Sequence, residues 1–305
     1  MVNLKKYKKV VILGGGISDE KKISDLTAKE VFNTLKKDYD VTLINVTNDC
    51  KKLIENLLKN KPNVVFNCLH GFFGEDGQIQ SILNYLNLKY THSGVMTSSI
   101  LMNKEISKKI FSSFGVNSPK SLTLEKIKQE KFENPIIAKP VNGGSSNGLL
   151  KIKDNMALNS FLEENKKNID SYLFEEFIKG REITVGVLNN KVCGIMEIVF
   201  DSELYDYNNK YIKIAEHLIN PNIPSHIRDK LHDISINVHK GTNCNCISRF
   251  DFRYDEEQDD VFLLEVNTQP GLTKNSLLPE MAKKDGVSFF ELCEILIKNS
   301  ICENF

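Results

Sequence analysis

The sequence contains no Cys-x-x-Cys pair, although it has seven cysteines. Cys244 and Cys246 are too close together for a zinc knuckle, and no second pair matches them. Cysteines scattered in this way are typical of proteins that are kept reduced in the cytosol. The cysteine pattern therefore argues against a zinc-ribbon fold and predicts a cytoplasmic protein.

Long hydrophobic runs are also absent from the sequence. The basic residues 1–9 precede an apolar run that covers only residues 10–13, which is shorter than the apolar region of a signal peptide. No stretch approaches the roughly 20 apolar residues that a transmembrane helix needs. We therefore expect neither a secretion signal nor a membrane-spanning segment.

The chain has no net charge, because its 40 basic residues balance 40 acidic residues. Bulk electrostatics therefore predict neither a nucleic acid nor a membrane surface as partner. Hydrophobic residues make up 41% of the chain, enough for a sizeable core in a globular protein. At roughly 150 residues per domain, 305 residues indicate about two domains, and three small ones are also compatible.

The chain opens with a predicted strand, a glycine turn and a helix. Residues 10–13 are apolar, three glycines follow at 14–16, and a helical pattern runs from Ile23 to Leu35. The turn is not Gly-x-Gly-x-x-Gly, so a plain strand–helix turn explains it as well as a nucleotide site. The hypothesis that the chain is a nicotinamide-dependent oxidoreductase would rest on these glycines alone. Glu20 follows at the mouth of a predicted parallel sheet, where ligands bind.

A strand that contains Lys139 precedes a glycine- and serine-rich loop, residues 141–148. Successive backbone N–H groups in such a loop can bind an anion, and a strand lysine beside it favours phosphate. A flexible surface loop is the alternative interpretation. Lys104 and Lys108 lie four residues apart in a helix predicted over residues 97–114, and lysines on a helix are by default solvated.

Residues 247–271 predict two strands joined by the polar loop 254–260. If the strands pair antiparallel, three oxygen-bearing side chains share one face: Asp251, Glu265 and Asn267. Such ligands suit a hard cation, and Mg²⁺ needs only one or two carboxylates with phosphate and water. An amphipathic hairpin with one wet face is the alternative. The following Thr-Gln-Pro-Gly turn argues against it, because it fixes where the chain goes next.

Several motifs occur in a fixed order: Gly-Gly-Ile-Ser-Asp-Glu20, His70-Gly-x-x-Gly-Glu-Asp-Gly77, Lys139-Pro-x-x-x-Gly-Ser-Ser-x-Gly148, Tyr205-Asp-Tyr-x-x-Lys210-Tyr211, Arg249-x-Asp251 and Glu265-x-Asn267-Thr-x-Pro-Gly271. The set and its order resemble those of the D-alanine–D-alanine ligases of the ATP-grasp superfamily. The resemblance extends from about residue 10 to residue 287.

The resemblance implies an α/β fold (α+β overall) with the three domains of an ATP-grasp enzyme. Residues 1–95 would form an N-terminal domain with a parallel sheet, residues 96–183 the central subdomain, and residues 184–305 the C-terminal subdomain with a lid loop and the metal site. It implies ATP-dependent ligation of two D-alanines through D-alanyl phosphate, for peptidoglycan precursors. It also implies a cytoplasmic homodimer.

Residue roles follow from the resemblance in the same way. ATP would contact Lys104, Lys139, Ser146, Glu175, Glu176, Ile178, Glu182 and Lys210. Two Mg²⁺ ions, replaceable by Mn²⁺, would bind Asp251, Glu265 and Asn267. The substrates and intermediate would contact Glu20, His70, Ser145, Tyr211, Arg249, Gly271, Ser276 and Leu277.

Some residues depart from the family pattern. Lys21-Lys22 replaces a basic–acidic pair after Glu20, and the segment after Tyr211 is more apolar than usual. Relatives that make D-alanyl-D-lactate tend to differ at the Tyr211 position, so Tyr211 favours the dipeptide. Two other interpretations stay open, a ligase with another second substrate and a nucleotide-binding module without activity.

Overall fold

A computed structural model describes residues 9–129, 134–144, 147–200 and 215–303. The strands of these residues form a parallel sheet of three strands and two antiparallel sheets, of four and five strands. Helices alternate with the strands of the first sheet and pack on the faces of the others. The predicted mixed α/β class is confirmed. No helix of the described residues is both long and apolar enough to cross a membrane.

The parallel sheet has the order β2-β1-β3, where β1 is Lys9–Gly15, β2 is Asp40–Val46 and β3 is Val64–Asn67. Helices α1 (Lys21–Leu35) and α2 (Cys50–Asn60) connect the strands. Strand β1 lies in the middle and is buried from its second residue onward, which explains its continuous apolar sequence. The carboxyl ends of β1 and β3 bring the segments that carry Glu20 and His70 to one edge.

Helix α3 (Gln78–Tyr85) precedes a break that the sequence did not predict. Instead of one helix over residues 97–114, α4 covers Val95–Met102 and α5 covers Lys104–Ser113. Asn103 lies between them with φ −86° and ψ 108°, and its side-chain oxygen accepts hydrogen bonds from two backbone N–H groups of α5. The prediction was wrong because asparagine caps a helix better than it continues one. A new helix therefore starts at Lys104.

The four-stranded antiparallel sheet has the order β4-β7-β5-β6. Its strands are β4 (Ser121–Leu122), β5 (Ile136–Pro140), β6 (Leu150–Ile152) and β7 (Tyr172–Glu176). Helices α6 (Leu124–Gln129) and α7 (Asn155–Glu164) and a short 3-10 helix (Ile169–Ser171) lie between these strands along the chain. Ile137 pairs with Glu175, so Lys139, two residues further along β5, shares a face with that carboxylate.

The five-stranded antiparallel sheet has the order β10-β9-β8-β11-β12. Its strands are β8 (Arg181–Leu188), β9 (Lys191–Val199), β10 (Glu216–Ile219), β11 (Ile247–Asp255) and β12 (Asp260–Asn267). Asn189 and Asn190 join β8 to β9 with φ values of 51° and 61°, as the predicted primed turn requires. Strand β10 is a short, half-exposed edge strand that the sequence pattern did not reveal.

Three helices complete the described chain: α8 (Ser225–Gly241), α9 (Leu277–Lys284) and α10 (Phe289–Lys298). Met281 of α9 packs so closely on Gly186 and Gly194 that a Cβ at either glycine would lie within 3 Å of it. One hydrophobic cluster joins α9 and α10 to residues of α1 and β1. The parallel sheet and the end of the chain therefore share a core.

His239 is a fully buried histidine that links α8 to β11. Its Nδ1 lies 2.6 Å from the Ser248 hydroxyl, and burial lowers the pKa of His239 from about 6.5 to about 4. Between those values only the unfolded chain takes up the proton, so stability falls as the pH drops from 6.5 to 4. The free energy of unfolding should fall by about 3 kcal/mol over this pH range. Urea unfolding at pH values between 6.5 and 4 should show this loss. His239→Gln should reduce the dependence of the free energy of unfolding on pH, whereas His232→Gln, at a half-exposed position on the same helix, should not.

Candidate functional site

One cleft is lined by residues of both antiparallel sheets. Many residues to which the sequence assigns a nucleotide or catalytic role meet in it: Lys104, Lys139, Glu175, Glu176, Ile178, Glu182, Arg249, Asp251, Glu265 and Leu277. They come from several strands, two helices and the segment after β7, over more than half the length of the chain. The fold therefore brings together residues that are far apart in sequence.

The hairpin β11–β12 supplies the charged floor of this cleft. Its strands pair antiparallel, as predicted, with Asp251 opposite Glu265 and Arg249 opposite Asn267. Side chains of directly opposite residues project from the same face of a sheet. The four polar side chains therefore share one face, and a register shift follows immediately after Asp251.

The Asp251 carboxylate is held by three neighbouring side chains. Arg249 donates from Nε at 2.9 Å and from a terminal nitrogen at 2.7 Å. The Thr184 hydroxyl donates at 2.7 Å, and the Asn267 amide nitrogen lies 3.1 Å away. Charge-assisted bonds of this kind are the strong ones, so the carboxylate has a fixed orientation.

The donor set on this face fits a magnesium-type cation. The described residues contain no group of three or more His, Cys, Asp and Glu side chains that could hold a metal without other ligands. Asp251 and Glu265 nevertheless offer two carboxylates in opposite positions, beside the Asn267 amide. Mg²⁺ needs no more than this when phosphate oxygens and water complete its shell. A closed zinc-type cage is not what these residues form.

Lys104 reaches the hairpin from the first turn of α5. Its ammonium donates to the Gly143 carbonyl at 2.6 Å and lies 3.6 Å from Glu265. Burial lowers the pKa of Lys104, and the charge of Glu265 acts in the opposite direction. The break at Asn103 is what brings this amine beside the predicted metal ligands.

Glu175 lies between two lysines. It is 2% exposed, with the Lys139 nitrogen 2.5 Å from one carboxylate oxygen and the Lys108 nitrogen 2.7 Å from the other. The expectation that Lys108 is a solvated surface residue is wrong, because its side chain is only 10% exposed. Its spacing of four from Lys104 was the available signal, since residues four apart share a helix face.

Arg253 lines the first cleft, and sequence reasoning missed it. It is opposite Glu182 on the neighbouring strand β8, with a terminal nitrogen 3.0 Å from that carboxylate. A second bond reaches the Gly180 carbonyl at 2.9 Å, and the residue is 7% exposed. The period of two along β11 from Asp251 could have indicated it. Glu182 therefore meets the cleft as one half of a buried ion pair.

Glu20 lies where the parallel-sheet segment meets the glycine loop after β5. A Cβ at either Gly71 or Gly144 would be 2.9 Å from its Oε1. Gly71 also has a φ of 70°, which favours glycine, whereas at Gly144 the flexible end of the Glu20 side chain could move aside. A second cleft, which adjoins the first, is lined by Glu20 and both glycines.

His70 is buried next to Gly71, which lines this second cleft, and both of its ring nitrogens have protein partners. Nδ1 lies 2.7 Å from Glu75, and Nε2 lies 3.1 Å from the Thr27 hydroxyl. Burial favours the neutral ring, but the hydrogen bond to Glu75 and the charge of Glu75 outweigh it and raise the pKa of His70. The structure therefore places His70 next to the site as part of a buried pair, and Glu75 is a partner that the sequence did not suggest.

Gly271, Ser276 and Leu277 form the approach to α9. The Ser276 hydroxyl accepts a hydrogen bond from the Thr273 N–H at 3.1 Å and lies 3.0 Å from the place of a Cβ on Gly271. Leu277 is the first residue of α9 and lines the first cleft. Four predicted site residues lie outside the described part of the chain: Ser145, Ser146, Lys210 and Tyr211.

Comparisons with known proteins identify relatives of this chain. A family model described as the C-terminus of D-alanine–D-alanine ligase matches residues 101–298. The D-alanine–D-alanine ligase of Pelagibacter ubique is 41% identical over 307 residues, covering 96% of this chain and 98% of that protein. The ligase of the same name from Zymomonas mobilis is 37% identical over 308 residues, covering 97% and 95%.

Solved structures give the same result. D-alanine–D-alanine ligase from Bacillus anthracis, crystallised in complex with ATP, superposes with a TM-score of 0.82 at 28% sequence identity. The superposition covers 96% of this chain and 97% of that chain. The ATP-grasp fold expected from the motifs is thereby confirmed. From its sequence, its fold and the residues gathered in its cleft, the chain belongs to the D-alanine–D-alanine ligase family.

Proposed function

We propose that this chain joins two D-alanines to D-alanyl-D-alanine at the expense of ATP, through a D-alanyl phosphate, for peptidoglycan precursors. The observation that carries the proposal is the cleft in which lysines, carboxylates and Arg249 from both antiparallel sheets converge. A carboxylate is a poor acylating agent until it is phosphorylated. Phosphoryl transfer depends mostly on positioning and charge neutralisation, and this cleft is equipped for both.

ATP occupies the first cleft in this proposal. Lys104 and Lys139 hold its phosphates, together with Ser146 and Lys210. The adenine contacts Glu175 and the backbone of Glu176 and Ile178, and Glu182 holds the ribose. The buried positions of Lys104 and Lys139 support their assignments, because ammonium groups in a low-dielectric cleft attract phosphate strongly.

Asp251, Glu265 and Asn267 would hold the divalent cation, with two Mg²⁺ ions in the full site and Mn²⁺ as a substitute. A bound cation neutralises charge on the phosphate oxygens. Arg249 binds Asp251 through two hydrogen bonds, so it would share that carboxylate with a cation held there. The Arg249 guanidinium would lie beside the place where charge develops on the acyl group.

The remaining residues orient the amino acids. Glu20 binds the ammonium of the first D-alanine, with Ser145 and Tyr211 linking it to the lid, and His70 assists from below. The second D-alanine contacts Ser276 and Leu277, and its amine attacks the acyl phosphate. Arg249 and the Gly271 N–H stabilise the resulting oxyanion, a task that fixed donors perform well.

The proposal includes an organisation for the whole chain. The division into residues 1–95, 96–183 and 184–305 follows the family pattern, and strand β8 crosses the second boundary. A homodimer in the cytoplasm is proposed on the same basis.

Phosphate release from ATP tests the proposal. With Mg²⁺, D-alanine alone should stimulate release, and L-alanine should not. Release that requires D-alanine together with D-serine or D-lactate would keep the mechanism and change the second substrate. No stimulation by D-alanine in protein that binds ATP would refute the proposed reaction and favour a binding module without activity.

A further inference from the structure

We infer that Lys108 is a positioning residue that frees Lys139 for the nucleotide by remaining with the Glu175 carboxylate. This inference rests on the proposed ATP site. It concerns a residue behind the cleft rather than in it, because Lys139 and Glu175 line the cleft whereas Lys108 does not. Lys108 therefore acts on ATP only through Glu175.

The geometry around Glu175 contains one cation more than the carboxylate needs. Lys139 contacts one carboxylate oxygen from the cleft side, and Lys108 contacts the other oxygen from α5. Lys108 also donates to the Pro119 carbonyl, which ties its amine to the scaffold. Lys139 is thus the lysine that can leave, and Lys108 is the one held in place.

Burial makes this second lysine necessary. Glu175 is 2% exposed, so a charge on it that has lost its counter-ion would carry a large desolvation cost. When Lys139 turns from Glu175 to the phosphates, Lys108 keeps the carboxylate paired. Without Lys108, Lys139 would have to leave a buried anion behind, and part of the energy of phosphate binding would be lost.

The Lys108 ammonium and the Glu175 carboxylate form a close charge pair, with 2.7 Å between nitrogen and oxygen. Burial lowers the pKa of Lys108, and the Glu175 charge acts against that effect. Removing the carboxylate charge should consequently remove the need for the lysine, and this dependence separates a charge role from simple packing.

The test is a calorimetric titration of ATP with Mg²⁺ into wild type, Lys108→Met, Glu175→Gln and the double variant. Lys108→Met should weaken ATP binding about 10-fold or more, because Lys139 stays on Glu175. The double variant should bind ATP more tightly than Lys108→Met, since the neutral amide that replaces the carboxylate no longer retains Lys139. A double variant that binds no better than Lys108→Met would overturn the inference.

Adenosine and a conservative variant sharpen the test. Adenosine has no phosphate, so its binding does not require Lys139 to move. Lys108→Met should therefore weaken the binding of adenosine far less than the binding of ATP. Equal weakening of both ligands would indicate a purely structural role and overturn the inference. Lys108→Arg should retain ATP binding close to wild type, and Lys108→Gln carries the same comparison if the methionine variant does not fold. Wild-type protein that fails to bind ATP would refute the nucleotide site itself, and the inference with it.

Discussion

Replacing Arg249 with methionine should reduce D-alanine-dependent turnover by about 10³-fold, while ATP affinity changes little. Arg249 lies beside the predicted metal ligands and aims two donors at Asp251 in this structure. From this position the guanidinium would stabilise the oxyanion formed by amine attack. A residue that acts only on this charge affects turnover and leaves nucleotide binding intact.

The Arg249 variant needs a control, because the substitution also removes the positive charge that is paired with Asp251. Asp251 would retain Thr184 and Asn267 as neighbours, so local structure is preserved in part, and added Mg²⁺ should restore thermal stability. The matched control is Arg228→Met, which should keep wild-type turnover. Arg228 is an arginine on α8 that binds the Pro221 carbonyl. Turnover of Arg249→Met equal to that of the control would contradict the assigned role.

Glu265→Gln should have the second large effect, on metal dependence. The substitution leaves a single carboxylate, Asp251, on the predicted metal face, and it removes the charge 3.6 Å from the Lys104 ammonium. We expect turnover at saturating ATP to fall about 100-fold, with half-maximal activity at a much higher Mg²⁺ concentration.

A Mg²⁺ titration of phosphate release measures this effect. Glu256→Gln is the matched control, because Glu256 lies in the turn between β11 and β12 and its side chain is 59% exposed. The control should give the wild-type Mg²⁺ curve. If Glu265→Gln also gives that curve, Glu265 is not a metal ligand.

The hairpin could be predicted from the sequence because its information is local. Alternation of polar and apolar residues places Asp251 on one face of a strand, and the second strand repeats the pattern at Glu265. The central parallel strand β1 was equally visible, since a strand covered on both faces is apolar throughout.

Features that depend on tertiary packing could not be predicted in this way. The break at Asn103 looked like the interior of a longer helix. An asparagine ends one helix and caps the next only where the surrounding packing lets the chain turn, and the sequence does not show that packing. Lys108 looked solvated because its buried partner, Glu175, is 67 residues away in sequence. Strand β10 is four residues long and half exposed at a sheet edge, so it has no pattern of its own.

The buried pair of His70 and Glu75 shows the same limit at the substrate side. The family resemblance implied that His70 lies near the substrates, but it did not indicate that both ring nitrogens already have protein partners. Only the packing of α1 against this segment supplies the second partner, Thr27. A test of the role of His70 should therefore substitute Glu75 as well as His70, because the two side chains form one buried pair.

The acyl phosphate is the central claim, and an isotope-transfer measurement tests it directly. D-Alanine labelled with a heavy oxygen isotope in its carboxylate is incubated with ATP, Mg²⁺ and the enzyme, and dipeptide and phosphate are analysed by mass spectrometry. If the carboxylate is phosphorylated and the acyl phosphate is then attacked by the amine, each phosphate released carries one heavy oxygen and one dipeptide forms with it. Dipeptide accompanied by unlabelled phosphate would contradict the D-alanyl phosphate route.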